Sequence, residues 1–404
     1  MNRKIWKALG IAVCMLALAA PRAMAETHRV GSEKQFKDAV EAINKPGDAK
    51  NEIILTQDIT LGGDTTEYTV YTLSRGNTTI KGGGNKITIS NAGITVAGEK
   101  TVLNLGEKGY KGTLTIDGKT SGGFVSVLEG ATANMYEHVT LQNGKFAGNA
   151  CVVIMGSDPV TGSKSVFNMN GGVIENCSRA VMADSGTTFN MYGGEIRNCV
   201  SMNDGVGLYA DNSTINITGG IISGCEGRWG GGLYATNSSK ITITGGTISE
   251  CTAGMGAGGG LYATNSSEIT ISGSTISECK ASLGAGGGLY ATNGSIINID
   301  RGTISGCEAG TGGGLYADKS TVTISGGAIS ECSATINNGG GLYATNSSKI
   351  TISDGIISGC EGVLGCGLYA TNSSEITISG GTISGCTGLR GGGLYADNST
   401  VTIT

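Results

Sequence analysis

Apolar and polar residues alternate with period two along most of this chain, and the alternation returns at a fixed interval. The unit Leu233-Tyr234-Ala235, then Ile241-Thr242-Ile243, then Thr247-Ile248-Ser249, closes on Cys251. Its Leu-Tyr-Ala core recurs at Leu208, Leu233, Leu261, Leu289, Leu315, Leu342, Leu368 and Leu394, with steps of 25, 28, 28, 26, 27, 26 and 26 residues. Strict alternation over three or four residues predicts short half-buried strands. Leu233 and Ala235 share one face with Ile241 and Ile243, while Tyr234, Thr242 and Thr244 take the other. Glycine pairs such as Gly245-Gly246 supply the turns between strands. One such unit cannot bury its own apolar side, so stacked copies must share a core. The pattern predicts an all-β, right-handed parallel β-helix solenoid with three short strands per coil of about 25–28 residues. About a dozen coils at ~4.8 Å per rung give a rod of roughly 60 Å.

The period changes only near the start. In residues 32–44, Phe36, Ala39, Val40 and Ile43 recur at helical spacing. Ser32 and Gln35 form a capping box, and Pro46-Gly47 ends the helix. With strands at Ile53-Ile54-Leu55 and Ile59-Thr60-Leu61, residues 26–77 are expected to cap the N-terminal end of the stack. Residues 78–150 predict less regular coils, and residues 151–404 the regular array. The chain stops at Thr404 partway through a coil, which suggests a truncated C-terminus.

Stacking turns each repeat position into a ladder. Tyr209, Tyr234, Tyr262, Tyr290, Tyr316, Tyr343, Tyr369 and Tyr395 predict an aromatic ladder on an outer face, either a binding platform or ring-on-ring packing. Thr242, Thr270, Thr323, Thr351, Thr377 and Thr402 predict a second row, interrupted by Asn216 and Asn298 and flanked by charges. The closing cysteines Cys177, Cys199, Cys225, Cys251, Cys279, Cys307, Cys332, Cys360 and Cys386 form a third. Neighbours on parallel strands have parallel Cβ vectors, poor geometry for disulfides, so buried thiols acting as small hydrophobes are favoured over partial pairing. Cys151 and Cys366 lie outside this ladder, two residues before Val153 and Leu368, where the repeat has glycine. Asn212, Asn237, Asn265, Asn346, Asn372 and Asn398 match the glycosylation triplet but are read as left-handed turn residues bonding their own backbone. No metal site or cofactor is expected: no Cys-x-x-Cys occurs, and His28 and His138 are the only histidines.

Charge is scattered and the net is −5, which excludes a nucleic-acid binder or a polybasic membrane arm. Residues 1–25 read as a secretory signal: Arg3, Lys4 and Lys7 precede a short apolar run, and Ala23-Met24-Ala25 fits the cleavage site. Export to the cell surface or the medium is expected, with no transmembrane segment in the mature chain.

The order Gly313-Gly314-Leu315-Tyr316 and the run Thr303-Ile304-Ser305-Gly306-Cys307 resemble repeats of the right-handed parallel β-helix superfamily of pectate-lyase type. The closer likeness is to its repeat-rich bacterial surface proteins, the polymorphic outer-membrane proteins and autotransporter passengers. Cysteine stands where that group often places stacked asparagine. The likeness covers nearly all of the mature chain and implies the fold. It implies little about activity, because the superfamily includes lyases, hydrolases, adhesins and rods.

Two functions follow. One is a non-catalytic, adhesin-like rod that offers its tyrosine and threonine rows to a glycan or surface protein. The other is a polysaccharide lyase or glycoside hydrolase, for which Arg179, Asp184, Arg197 and Asp211, with Asp204 nearby, are the candidate residues. Asp184 and Asp211 share a repeat position and are expected to stack, and convergence with an arginine would favour catalysis. Ice binding by the threonine row is a remote third reading.

Overall fold

The computed structural model describes residues 26–46, 50–63, 67–118, 123–144, 150–156, 158 and 160–404. The signal sequence read in residues 1–25 lies outside them. Among the described residues no helix is long and apolar enough to cross a membrane.

The alternation resolves into stacked coils. Leu-Tyr-Ala strands and their N-terminal counterparts form one thirteen-stranded parallel sheet, from Thr69–Leu73 to Leu394–Ala396. Register is kept residue for residue: Leu233 lies on Leu261, Tyr234 on Tyr262 and Ala235 on Ala263. The second and third strands of each coil stack likewise, as in Lys240–Ile243 on Glu268–Ile271 and Thr247–Ser249 on Thr275–Ser277. Every inward residue thus meets its own kind, and Leu261, Ala263, Ile269, Ile271 and Ile276 are wholly buried. The same sheets continue through the described strands of residues 78–150, so the weaker repeat there does not mark a different architecture.

One feature departs from the three-strand expectation. From Glu226–Gly227 to Ser333–Ala334, five coils carry a short fourth strand just after the closing cysteine. It buries a small alanine row, Ala253, Ala281 and Ala309, outside the main core.

The helix spans Glu33–Ile43 with Ser32 as N-cap, and it buries the predicted stripe. Gln35 N–H donates to Ser32 Oγ at 3.3 Å, and Gly31 N–H donates to Gln35 Oε1 at 2.7 Å. Phe36 meets Tyr71 edge-on at 5.3 Å, closing this end of the core. A strand not foreseen, Glu26–Val30, starts the stack by pairing with Lys50–Leu55.

At the tight corner, Asn212, Asn237, Asn265, Asn346, Asn372 and Asn398 all have φ between 45° and 53°. The left-handed conformation was expected. The hydrogen bonds were not: the amides of Asn237, Asn265, Asn346 and Asn372 reach the neighbouring coil, as in Asn237 Nδ2 to Asp211 Oδ1 at 2.7 Å and Asn265 Nδ2 to Thr236 Oγ1 at 3.1 Å. The buried serine two residues later satisfies the local backbone instead, Ser239 Oγ donating to Thr236 O at 2.6 Å.

Cys177 is not a ladder thiol, because it forms a disulfide with Cys151. The reason lies in register. Val152 aligns with Val181, Leu208 and Leu233, which places Cys151 where later coils have Gly232. A Cβ built on Gly232 would lie 3.2 Å from Cys251 Sγ, and Gly260 and Gly288 stand likewise to Cys279 and Cys307. A cysteine here therefore faces the closing cysteine of its own coil across the interior, not the rung above. Cys366 is displaced by one position, at the place of Gly231, and its Sγ donates to Gly362 O at 3.2 Å. Cys199 through Cys386 remain free thiols.

In a protein beginning at Glu26, nine thiols are expected to titrate in denaturant without reductant, and eleven with it. Cys151→Ser should lower stability in urea by about 3 kcal/mol, because the closed loop is of moderate length. A titration of eleven thiols without reductant contradicts the bond.

Candidate binding face

The outward residue of each Leu-Tyr-Ala strand is fixed by register, so the eight tyrosines stack. Successive ring centroids lie 4.8–5.5 Å apart and the planes stay within 16° of parallel. Between the two end rings each ring face therefore meets another ring, and solvent is offered edges and hydroxyls. At the N-terminal end, where Met182 precedes Tyr209 in register, the Arg179 guanidinium sits 4.6 Å from the Tyr209 centroid and takes the place of a ninth ring. Trp229 meets Tyr262 edge-on at 5.1 Å.

Alongside this row runs a second, apolar one that the sequence reading missed. Met202, Trp229, Met255, Leu283, Ile336 and Leu389 each lie three or four residues after a closing cysteine, in otherwise small-residue loops. Leu283 is 76% exposed and Leu389 83%. That recurring offset was the available signal. Between the rows lies a groove of about 360 Å³, with Trp229, Met255, Leu283 and Ile336 on one side and Tyr290 and Tyr316 on the other. Large apolar side chains left in water next to aromatic edges are the composition of a protein-contact surface.

Burial, aided by nearby carboxylate charge, pushes Tyr234 and Tyr290 up to about 12, and raises Tyr262 and Tyr316 as well.

The enzyme candidates separate into two groups. Arg179, Asp184, Asp204 and Asp211 all act electrostatically on the Tyr209 hydroxyl. Within that group the contacts are structural. Arg179 is 7% exposed and donates to Asp204 O at 2.8 Å, Asp204 is held by Arg228 at 2.9 Å, and Asp211 accepts from Asn237. Arg197 lies on a different strand, between Glu175 at 2.8 Å and Glu195. The arginine that could have completed a pair of stacked aspartates is therefore engaged elsewhere or stacked on a ring.

The threonine row is also not uniform. Its register position begins at Thr79 and continues as an asparagine ladder, Asn104, Asn134, Asn168, Asn190 and Asn216, in which each Nδ2 donates to the preceding Oδ1 at 2.8–2.9 Å; Asn104 itself donates to Thr79 Oγ1 at 3.2 Å and, two residues off register, to Asn77 Oδ1 at 2.6 Å. Threonine takes over at Thr242. Ion pairs flank it, Lys240–Glu268 at 3.7 Å and Lys349–Glu375 at 3.5 Å. Inside, the thiols donate to the carbonyl two residues back, as Cys279 Sγ to Ser277 O at 3.2 Å. Cys251, enclosed by Cys225 and Cys279, is pushed well above the ordinary thiol range by those neighbours and by burial.

The tyrosines set a pH limit. Unfolded tyrosine ionises near pH 10, whereas folded Tyr234 and Tyr290 hold their protons to about 12. The folded state therefore binds more protons in that window, and stability is full below pH 10 and falls as pH rises towards 12. Urea midpoints measured against pH, with tyrosinate absorbance as a second probe, should show this loss. Tyr234→Phe combined with Tyr290→Phe should reduce it, with the remainder coming from the other raised tyrosines, Tyr262 and Tyr316 among them.

No curated protein matches the sequence significantly. A family model described as the right-handed beta helix region matches residues 182–326 and 287–404, together more than half of the 404 residues. With an in-register stack of parallel coils from end to end, the chain belongs to the right-handed β-helix family.

Proposed function

We propose that the protein is an exported, non-catalytic, adhesin-like rod that binds a protein partner through the groove between its tyrosine edges and its apolar row. The observation that carries this reading is the apolar row itself. Six loops on one side of the rod leave a large apolar residue in or near water. Tyrosine, tryptophan and methionine are also residue types enriched where proteins meet. The tyrosine faces are stacked on one another, which favours a protein ligand over sugar rings seeking an aromatic face. The repeat presents similar weak contacts at each rung, so affinity would come from many contacts at once. Export is supported by the leader read in residues 1–25 and by the Cys151–Cys177 disulfide, a bond suited to an oxidising compartment. Absence of catalysis is supported by the uniform coils and by the separate commitments of Arg179 and Arg197.

Beads coated with the protein should be retained on at least one of fibronectin, collagen, laminin or mucin surfaces. Leu283→Ser with Ile336→Ser should cut that retention by about tenfold or more, as loss of buried apolar anchors does. Equal retention of parent and variant, or none by the parent, contradicts the proposal. Release of reducing ends or unsaturated sugars from any tested polysaccharide contradicts the non-catalytic assignment.

A further inference from the structure

A second site lies at the other end of the rod and does not depend on the groove. An open cleft of about 750 Å³ lies at a corner of the first coils. Lys50, Arg75 and Lys100 line it, with Ser74, Asn77 and Glu99. Cations elsewhere on the outer sheets commonly have carboxylate partners, such as Lys81 with Glu52 and Glu107, Lys86 with Asp117, and Lys240 with Glu268. Among the described residues, Lys50, Arg75 and Lys100 have none. Three unpaired cations in one cleft are a departure in a chain whose net charge is −5.

The asparagine ladder ends in this cleft. Its side-chain amides all point the same way, each Nδ2 donating towards the N-terminus, from Asn216 down to Asn104. Asn77 is the last acceptor, taking the bond from Asn104 at 2.6 Å. Its own Nδ2 has no partner among the described residues. A chain of aligned amides polarises along its length, and the terminal N–H is its positive end. That end and the three cations address the same volume.

A second, adjoining cavity of about 270 Å³ shares Lys50 and Asn77, and Tyr136 forms part of its wall. Glu99 also lies in the larger cleft, with one oxygen accepting from Ser163 Oγ at 3.0 Å. A carboxylate there would repel a bare phosphate polymer. It would accept bonds from a ligand that carries hydroxyl donors as well as negative charge.

We propose that this cleft binds an acidic oligosaccharide. The anionic group sits between Lys50, Arg75, Lys100 and the Asn77 amide, and sugar hydroxyls donate to Glu99. Carboxylate and sulfate share the required chemistry, and the probes below separate them.

The test is calorimetric titration with three hexasaccharides: hyaluronan for carboxylate, a heparin fragment for sulfate, and maltohexaose as the neutral counterpart. At least one acidic probe should bind and the neutral one should not, with affinity falling as salt rises. Lys50→Gln, Arg75→Gln and Lys100→Gln together should weaken binding by about tenfold or more, the usual worth of charge-assisted hydrogen bonds. Asn77→Asp keeps an acceptor for Asn104 but replaces the donor with a negative charge, and should cost a similar factor at an unchanged melting temperature. Leu283→Ser with Ile336→Ser should leave this binding intact, which separates it from the groove. Equal binding of the neutral probe, no heat with either acidic probe at millimolar concentration, or parental affinity in the triple variant or in Asn77→Asp overturns the proposal.

Discussion

Parallel, in-register hydrogen bonding between coils is the constraint from which the rest follows. Leu233 on Leu261 or Asn168 on Asn190 is not a choice made at each site, because the backbone pairing that holds one coil to the next puts every side chain over its equivalent. A residue is acceptable at a position only if it tolerates its own kind ~4.8 Å away. Isoleucine and leucine do so by packing, tyrosine by stacking, and asparagine by donating on one side and accepting on the other. Charge on the strands tolerates it best by alternating in sign, as at Lys240–Glu268, Lys280–Glu308 and Lys349–Glu375. Thiols tolerate it as small hydrophobes, with each sulfur bonded to a carbonyl of its own coil.

The same constraint explains the one disulfide. Two cysteines on successive rungs point the same way and do not bond. Two cysteines facing each other across one coil do, and Cys151 and Cys177 are placed so. Later coils put glycine opposite the closing cysteine because the next rung's backbone crowds that spot: a Cβ on Gly260 would come within 2.7 Å of Gly288 O. Cys151 and Ala180, on the rung after it, both carry a side chain at this position. Sequence spacing alone placed Cys151 one register position off, since the strand around it, Val152-Val153-Ile154, gives no alternation by which to count.

What could be read from the chain was whatever repeats. The coil, the inward residues, the tyrosine row and the capping helix were all legible, because each rests on a period or a local signature. The fourth strand was not, since Thr252-Ala253 is two residues long and has no pattern of its own. The asparagine ladder was missed for another reason. Asn134, Asn168, Asn190 and Asn216 look like interruptions of a threonine row, and only register shows that they form the continuous part. The groove's apolar residues were hidden because Trp229, Met255, Leu283 and Ile336 share a position but not an identity.

A repeat that sets like on like disperses the unlike groups that a reactive constellation needs. Departures from repetition must then gather where a ladder begins or ends. At an end, a stacked group has one unused side. Tyr209 has a free face, and Arg179 covers it. Asn77 has a free donor, and it opens into a cleft ringed by cations rather than being capped by a neighbouring side chain. The two ends are resolved differently, one filled from within the chain and one left available. A solenoid therefore concentrates its specificity at the ends of its ladders, where register stops supplying a partner.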